Sequence, residues 1–182
     1  MKYPSIAIIG KSRTGKSTIA EFIASYTGNH HMGFGKAMKD EFHRTFPDIP
    51  RTPKPREEYI KYGQAMREID EDVWVKKLSA QMPVGSVGVV IDDVRQENEL
   101  DFCIRGGMLI IQVVCDDDIA LKRAEHLGED LEINNELDVV FDGKDIPIDA
   151  VITNNGRSYT EVYDQILDLL ESWKKDEFPR DK

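Results

Sequence analysis

Four short apolar runs, Ser5–Ile9, Val87–Ile91, Met108–Cys115 and Ala150–Ile152, punctuate a chain whose remaining apolar residues return every three or four positions. Runs of this kind, β-branched and without alternation, suit strands buried on both faces of a parallel sheet. His30 to Phe34 reads as a further short strand. Helical spacing predicts a helix from Lys16 to about Tyr26 through Ile19, Ala20, Phe22 and Ile23, with Gly28 placed to end it. A second is predicted from Ala37 to Phe46 through Met38 and Phe42. Arg56 to about Met82 reads as two or three helices through Tyr59, Tyr62, Met66, Ile69, Val73, Val75 and Leu78, with Gly63 a weak point. Further helices are predicted over Arg95–Arg105, Asp116–Leu127 and Tyr159–Trp173, the last carrying Val162, Ile166, Leu169, Leu170 and Trp173 on one face.

The breaks are equally informative. Four of the eight prolines fall between Pro47 and Pro55, which predicts a stiff connector. Gly128 to Pro147 is acidic, polar and weakly periodic, and reads as a flap; Asn154-Asn155-Gly156 reads as a turn. Alternation of strand and helix predicts an α/β fold, a mostly parallel sheet with helices on both faces and a ligand at the carboxyl ends of the strands.

The 182 residues suit a single unit with mobile subdomains. No apolar run reaches the roughly 18 residues of a membrane span, and the N-terminus passes directly into the first strand, so a cytoplasmic protein is expected. Cys103 and Cys115 both lie in apolar segments and read as buried free thiols. With 34 acidic against 24 basic residues the formal charge is −10, which argues against nucleic acid and anionic membrane as partners. An anionic ligand would need basic groups concentrated locally.

Gly10-Lys11-Ser12-Arg13-Thr14-Gly15-Lys16-Ser17 supplies that concentration. It satisfies G-x-x-x-x-G-K-[ST] between a strand and a helix, the setting of a P-loop. Glycines let the loop curl so that its N–H groups, with Thr18 at the helix start, face phosphate oxygens at the positive end of the helix dipole. Lys16, expected to stand exposed in the loop, reaches the β- and γ-phosphates of ATP, and the Ser17 hydroxyl would bind Mg2+. Such a site needs a carboxylate at the end of a second strand, and Asp92 or Asp93 follows Ile91; Asp92 is read as the metal-side residue and Asp93 as the substrate-side one.

Beyond the P-loop, three segments resemble the phage and bacterial deoxynucleoside monophosphate kinases of the P-loop nucleoside monophosphate kinase superfamily. They are Phe34-Gly35-Lys36-Ala37-Met38-Lys39, the stretch Gly63-Gln64-Ala65-Met66-Arg67-Glu68-Ile69-Asp70 with Asp72-Val73-Trp74-Val75, and Asp93-Val94-Arg95-Gln96-Glu97-Asn98-Glu99. The resemblance implies a P-loop NTPase fold with a core of about 1–46, 83–122 and 148–182, a monophosphate-binding helical insertion of about 47–82 and a lid of about 123–147. It implies that Lys39, Arg67 and Arg95 contact the acceptor phosphate and that Asn98 or Glu99 lies near the acceptor sugar or base. The flap lacks the basic, histidine-containing stretch of the family, having Asn134-Asn135-Glu136 instead, so Arg123, with Lys122 beside it, becomes the candidate lid cation.

The implied activity is Mg2+-dependent transfer of a phosphoryl group from ATP to a nucleoside monophosphate by a monomer or homodimer. Rivals are a small kinase of the dephospho-coenzyme A or phosphomevalonate type and a nucleotide-binding switch protein. Trp74, Tyr59 and Tyr62, at helical spacing, read as core; His30-His31 face opposite ways on a strand and do not read as a metal site. Asp116-Asp117-Asp118 reads as a helix N-terminus.

Overall fold

The computed structural model describes residues 3–84, 87–127, 141, 143–156 and 158–174. Five strands, β1 (Ile6–Ile9), β2 (His30–Met32), β3 (Val89–Ile91), β4 (Leu109–Val114) and β5 (Ala150–Thr153), form one sheet in the order β2-β3-β1-β4-β5. Every neighbouring pair is parallel. The seven described helices are α1 (Lys16–Thr27), α2 (Phe34–Thr45), α3 (Arg56–Ile69), α4 (Val73–Gln81), α5 (Glu97–Arg105), α6 (Asp117–His126) and α7 (Tyr159–Lys174).

Strand periodicity divides the core into two layers. Ile6 and Ile8 of β1, with Leu109, Ile111 and Val113 of β4, face Ile19, Ala20 and Ile23 of α1 and Val162, Ile166 and Leu170 of α7. Their alternates, Ala7, Ile9, Val89, Ile91 and Ile110, face Phe34, Trp74, Leu78, Leu100 and Cys103 from α2, α4 and α5. Both faces of the central strands are therefore buried, which is why their sequences read as unbroken apolar runs.

Element boundaries depart from the periodicity where the stabilising contact is non-local. The second helix begins at Phe34, three residues before the expected Ala37, because the Asp93 carboxylate accepts hydrogen bonds from the Phe34 and Gly35 N–H groups at 2.8 Å each. Gly63, expected to weaken its helix, lies inside an uninterrupted α3, and its carbonyl accepts a bond from the buried Trp74 indole at 3.3 Å. The break between α3 and α4 falls instead at Asp70–Asp72, where the Asp70 carboxylate accepts the Asp72 N–H and pairs with Lys76. Tyr59 and Trp74 are buried. The expected flap has residues 128–140 and 142 outside the described ones.

Gly10 ends β1 with φ 141°, and a Cβ there would stand 2.2 Å from the Val113 carbonyl oxygen of β4. Both the backbone and the neighbouring strand exclude a side chain. Gly10→Ala is expected to destabilise the protein by more than about 2 kcal/mol, read as the shift of the urea unfolding midpoint.

Candidate active site

All five strands point their carboxyl ends at one rim, and the rim opens into a cleft of about 1500 Å³. Gly10 follows β1, Gly33 follows β2, Asp92 and Asp93 follow β3, and Asn154 follows β5. A parallel sheet leaves its ligand crevice at this end, because the loops that leave the strands there diverge to either face.

The loop between β1 and α1 is held by its own backbone. Arg13 and Gly15 take left-handed conformations, with φ 62° and 96°, and the Thr14 hydroxyl donates to the Lys11 carbonyl at 3.0 Å. Lys16 is not an exposed loop residue: it is the first residue of α1 and is buried, and its ammonium donates to the carbonyls of Gly10 and Lys11 at 2.7 and 2.6 Å. Two loop carbonyls thus fix the cation beside the N-terminus of α1. Ser12, Arg13, Gly15, Ser17 and Thr18 line the cleft with it.

Asn154 braces this loop from β5. Its amide nitrogen donates to the Thr14 carbonyl at 2.8 Å, and its side-chain oxygen accepts from Arg123 at 3.0 Å. Arg123 also donates to the Arg13 carbonyl and to the Asn154 carbonyl, both at 3.1 Å. A Cβ at residue 15 would stand 2.3 Å from the Asn154 amide nitrogen, so glycine is required for the brace to close. Arg123, expected in a lid, is here tied to the phosphate-binding loop. Asn154 reads in the sequence only as part of a turn, and no local signal marks its second task.

The two aspartates after β3 have different surroundings. Both Asp93 oxygens accept the amides at the start of α2; burial and the neighbouring Asp92 push its pKa up, and those two amides oppose the rise. Asp92 lies on the cleft with one oxygen 2.9 Å from His31 Nε2. Its other oxygen and the Ser17 hydroxyl have no hydrogen-bond partner among the described residues.

The acceptor-side residues separate likewise. Lys39 and Arg95 line the cleft. Arg67 does not; its guanidinium meets the buried Glu99 carboxylate at 3.3 Å. Glu99 also accepts the backbone N–H groups of Arg95 and Gln96 at 2.8 and 3.1 Å, closing a capping box at the start of α5. Burial raises its pKa, while those N–H groups and Arg67 counter the rise. Asn98 donates to the Glu71 carbonyl and the Asp72 carboxylate at 2.9 and 3.0 Å, fastening α5 to the corner between α3 and α4. Asn98 and Glu99 are thus framework contacts in this conformation.

Charge is distributed unevenly. Among the described residues Arg13, Lys16, Lys36, Lys39, Lys54, Arg56, Arg95, Lys122 and Arg123 line the cleft, against Asp92 and Asp93. Lys36 lies in a segment the sequence patterns singled out but was given no role there, and Lys54 and Arg56 were not picked out at all. The thiols take no part: burial pushes the Cys103 pKa up to about 12, and Cys115, half-buried rather than buried, is also raised, so neither is a thiolate near neutrality. Among the described residues no cluster of three or more potential metal-ligating side chains occurs, and no helix is long and apolar enough to cross a membrane.

Residues 6–140 match the profile of a family described as AAA domain. No curated protein matches the chain in sequence. Among solved structures, shikimate kinase from Acinetobacter baumannii in complex with shikimate superposes with TM-score 0.61 at 17% identity, over 93% of this chain and 94% of that one. A gluconokinase from Sinorhizobium meliloti 1021 gives 0.53 at 16% identity, over 98% and 100%. Shikimate kinase from Bacteroides thetaiotaomicron gives 0.56 at 10% identity, over 94% and 98%. At these identities the likeness establishes the fold alone, the parallel α/β sheet that this chain shares with those three structures.

Proposed function

The chain belongs to the AAA domain family, and from that premise, its P-loop kinase fold and its basic cleft we propose that it transfers the γ-phosphoryl group of ATP to the phosphate of a nucleoside monophosphate, a deoxynucleotide in the first instance. The observation that carries this reading is the cleft's nine lysines and arginines in a protein of net charge −10. Charge of one sign gathered along a single concave surface suits two anionic substrates lying end to end.

In this reading the amides of residues 10–18 and Lys16 hold the donor phosphates, and Arg123 with Asn154 keeps the loop in the shape that binds them. Ser17 and the unpaired oxygen of Asp92 are hard oxygen donors on the cleft and fit Mg2+, which would neutralise the donor phosphates when bound. Lys39 and Arg95 take the acceptor. Arg67 acts as a positioning residue: through Glu99 it steadies the backbone at Arg95. The insertion of about 47–82 adds Lys54 and Arg56 to the acceptor wall that Lys39 and Arg95 begin. The acceptor phosphate is already an anionic nucleophile, so positioning and charge neutralisation suffice for the chemistry.

The test is ADP formation across all nucleoside and deoxynucleoside monophosphates, with shikimate and gluconate as anionic acceptors without phosphate. Those two are included because the names of the structural neighbours point to them, and a cationic wall also suits a carboxylate. ADP formed only with a nucleoside monophosphate supports the reading. Formation with shikimate or gluconate alone would replace the acceptor, and release without any acceptor would replace the kinase by a switch. A second expectation separates the two arginines. Arg95→Lys should lower acceptor kcat/KM by roughly tenfold, because lysine cannot form a bidentate pair with phosphate. Arg67→Lys should act less strongly, and both should leave the KM for ATP within about twofold.

A further inference from the structure

We propose that Lys54, on the proline-rich connector, receives the anionic group of the acceptor beside Lys39 and Arg95, so that the acceptor site is completed by an element outside the helices. The inference rests on the kinase reading above. Lys54 and Arg56 flank Pro55, and the Arg56 N–H donates to the Lys54 carbonyl at 2.9 Å, a tight turn from which both side chains line the cleft. Pro53 and Pro55 fix two φ angles of this turn, so the position costs little ordering when a ligand arrives.

Among the described residues the Lys54 ammonium has neither a hydrogen bond nor an acidic partner. The same holds for the Lys39 ammonium, while the Arg95 side chain makes no hydrogen bond and has Asp93 as its acidic neighbour. The surroundings of Lys54 are cationic: partial desolvation first, and then Lys39, Arg56, Arg13 and Arg95, hold its pKa below the ordinary lysine range. Two of those neighbours belong to the acceptor wall and one to the phosphate-binding loop. Lys54 therefore stands where an acceptor phosphate would meet the donor. A surface lysine ordinarily swings on its flexible stem toward carboxylates and away from like charges. The carboxylates nearest in the cleft are engaged elsewhere, Asp93 by two amides and Asp92 by His31. Like charges converging on one place repel each other until an anion enters, and the mutual repulsion becomes attraction for a dianion such as a phosphate monoester.

The experiment uses the full chain saturated with Mg2+ and the non-hydrolysable ATP analogue AMPPNP, into which inorganic phosphate is titrated calorimetrically. Wild type is expected to bind phosphate, Lys54→Met to bind it roughly tenfold more weakly, and Lys54→Arg to lie between the two. Lys61→Met, on the exposed side of α3 and paired with Glu57, should match wild type. AMPPNP affinity should be the same in all four proteins, which also verifies that each is folded. Phosphate binding by Lys54→Met equal to that of wild type, or none by wild type, overturns the inference and leaves the kinase reading standing. Failure of wild type to bind AMPPNP overturns the kinase reading itself.

Discussion

Lys16→Ala is expected to lower phosphoryl transfer by at least about 100-fold, the scale on which a preorganised charge aimed at a transferring group contributes. Among the described residues Lys16 alone has a cationic group that is both buried and held by the loop's own carbonyls, those of Gly10 and Lys11. Two consequences separate it from the other cations of the cleft. Its position is paid for before substrate arrives, and its removal takes the ammonium from the Gly10 carbonyl and leaves the Lys11 carbonyl with the Thr14 hydroxyl alone. A stability loss on the order of 1 kcal/mol should therefore accompany the kinetic one, small enough for the protein to remain folded. Single-turnover ADP formation measures the first and urea unfolding the second. Activity above a tenth of wild type would show that the loop does not carry the donor phosphates.

Asp92→Asn and Asp93→Asn should fail in different ways. In Asp93→Asn an amide NH2 replaces one of two oxygens that accept backbone N–H groups of α2, so a donor is turned against a donor in a buried place. The expected cost is about 1–3 kcal/mol of stability. Asp92→Asn keeps an oxygen for His31 and should leave stability near wild type, while transfer falls about 100-fold and recovers in part at raised Mg2+. Melting curves and rates at several Mg2+ concentrations decide the matter. Equal losses, insensitive to Mg2+, would mean that neither carboxylate organises the ion.

Much of this was legible in the chain. The apolar runs gave the strands because strands buried on both faces have no polar alternation to hide them, and Gly10 to Ser17 marked the phosphate loop because its geometry needs those residues next to each other. Contacts between distant segments were not legible. The start of α2 is set by Asp93, 58 residues after Gly35, and the phosphate loop is braced by Asn154, 140 residues after Thr14. Neither partner carries a local signature. Lys54 and Arg56 were hidden for another reason: prolines announce a connector, and periodicity has nothing to say about which wall of the molecule a connector faces. Arg67 and Glu99 were visible as a motif, yet a motif does not reveal that its members bind one another.

The two core layers bear on how such a protein can diverge. The β1–α1 loop and Asn154 lie beside α1 and α7, which pack on one face of the sheet, while α2, α4 and α5, which carry or border the acceptor wall, pack on the other. Because side chains of the shared strands alternate, a lineage can exchange residues toward one face and leave those toward the other untouched. Such a scaffold can keep its nucleotide grip through long descent while its choice of second substrate is rewritten.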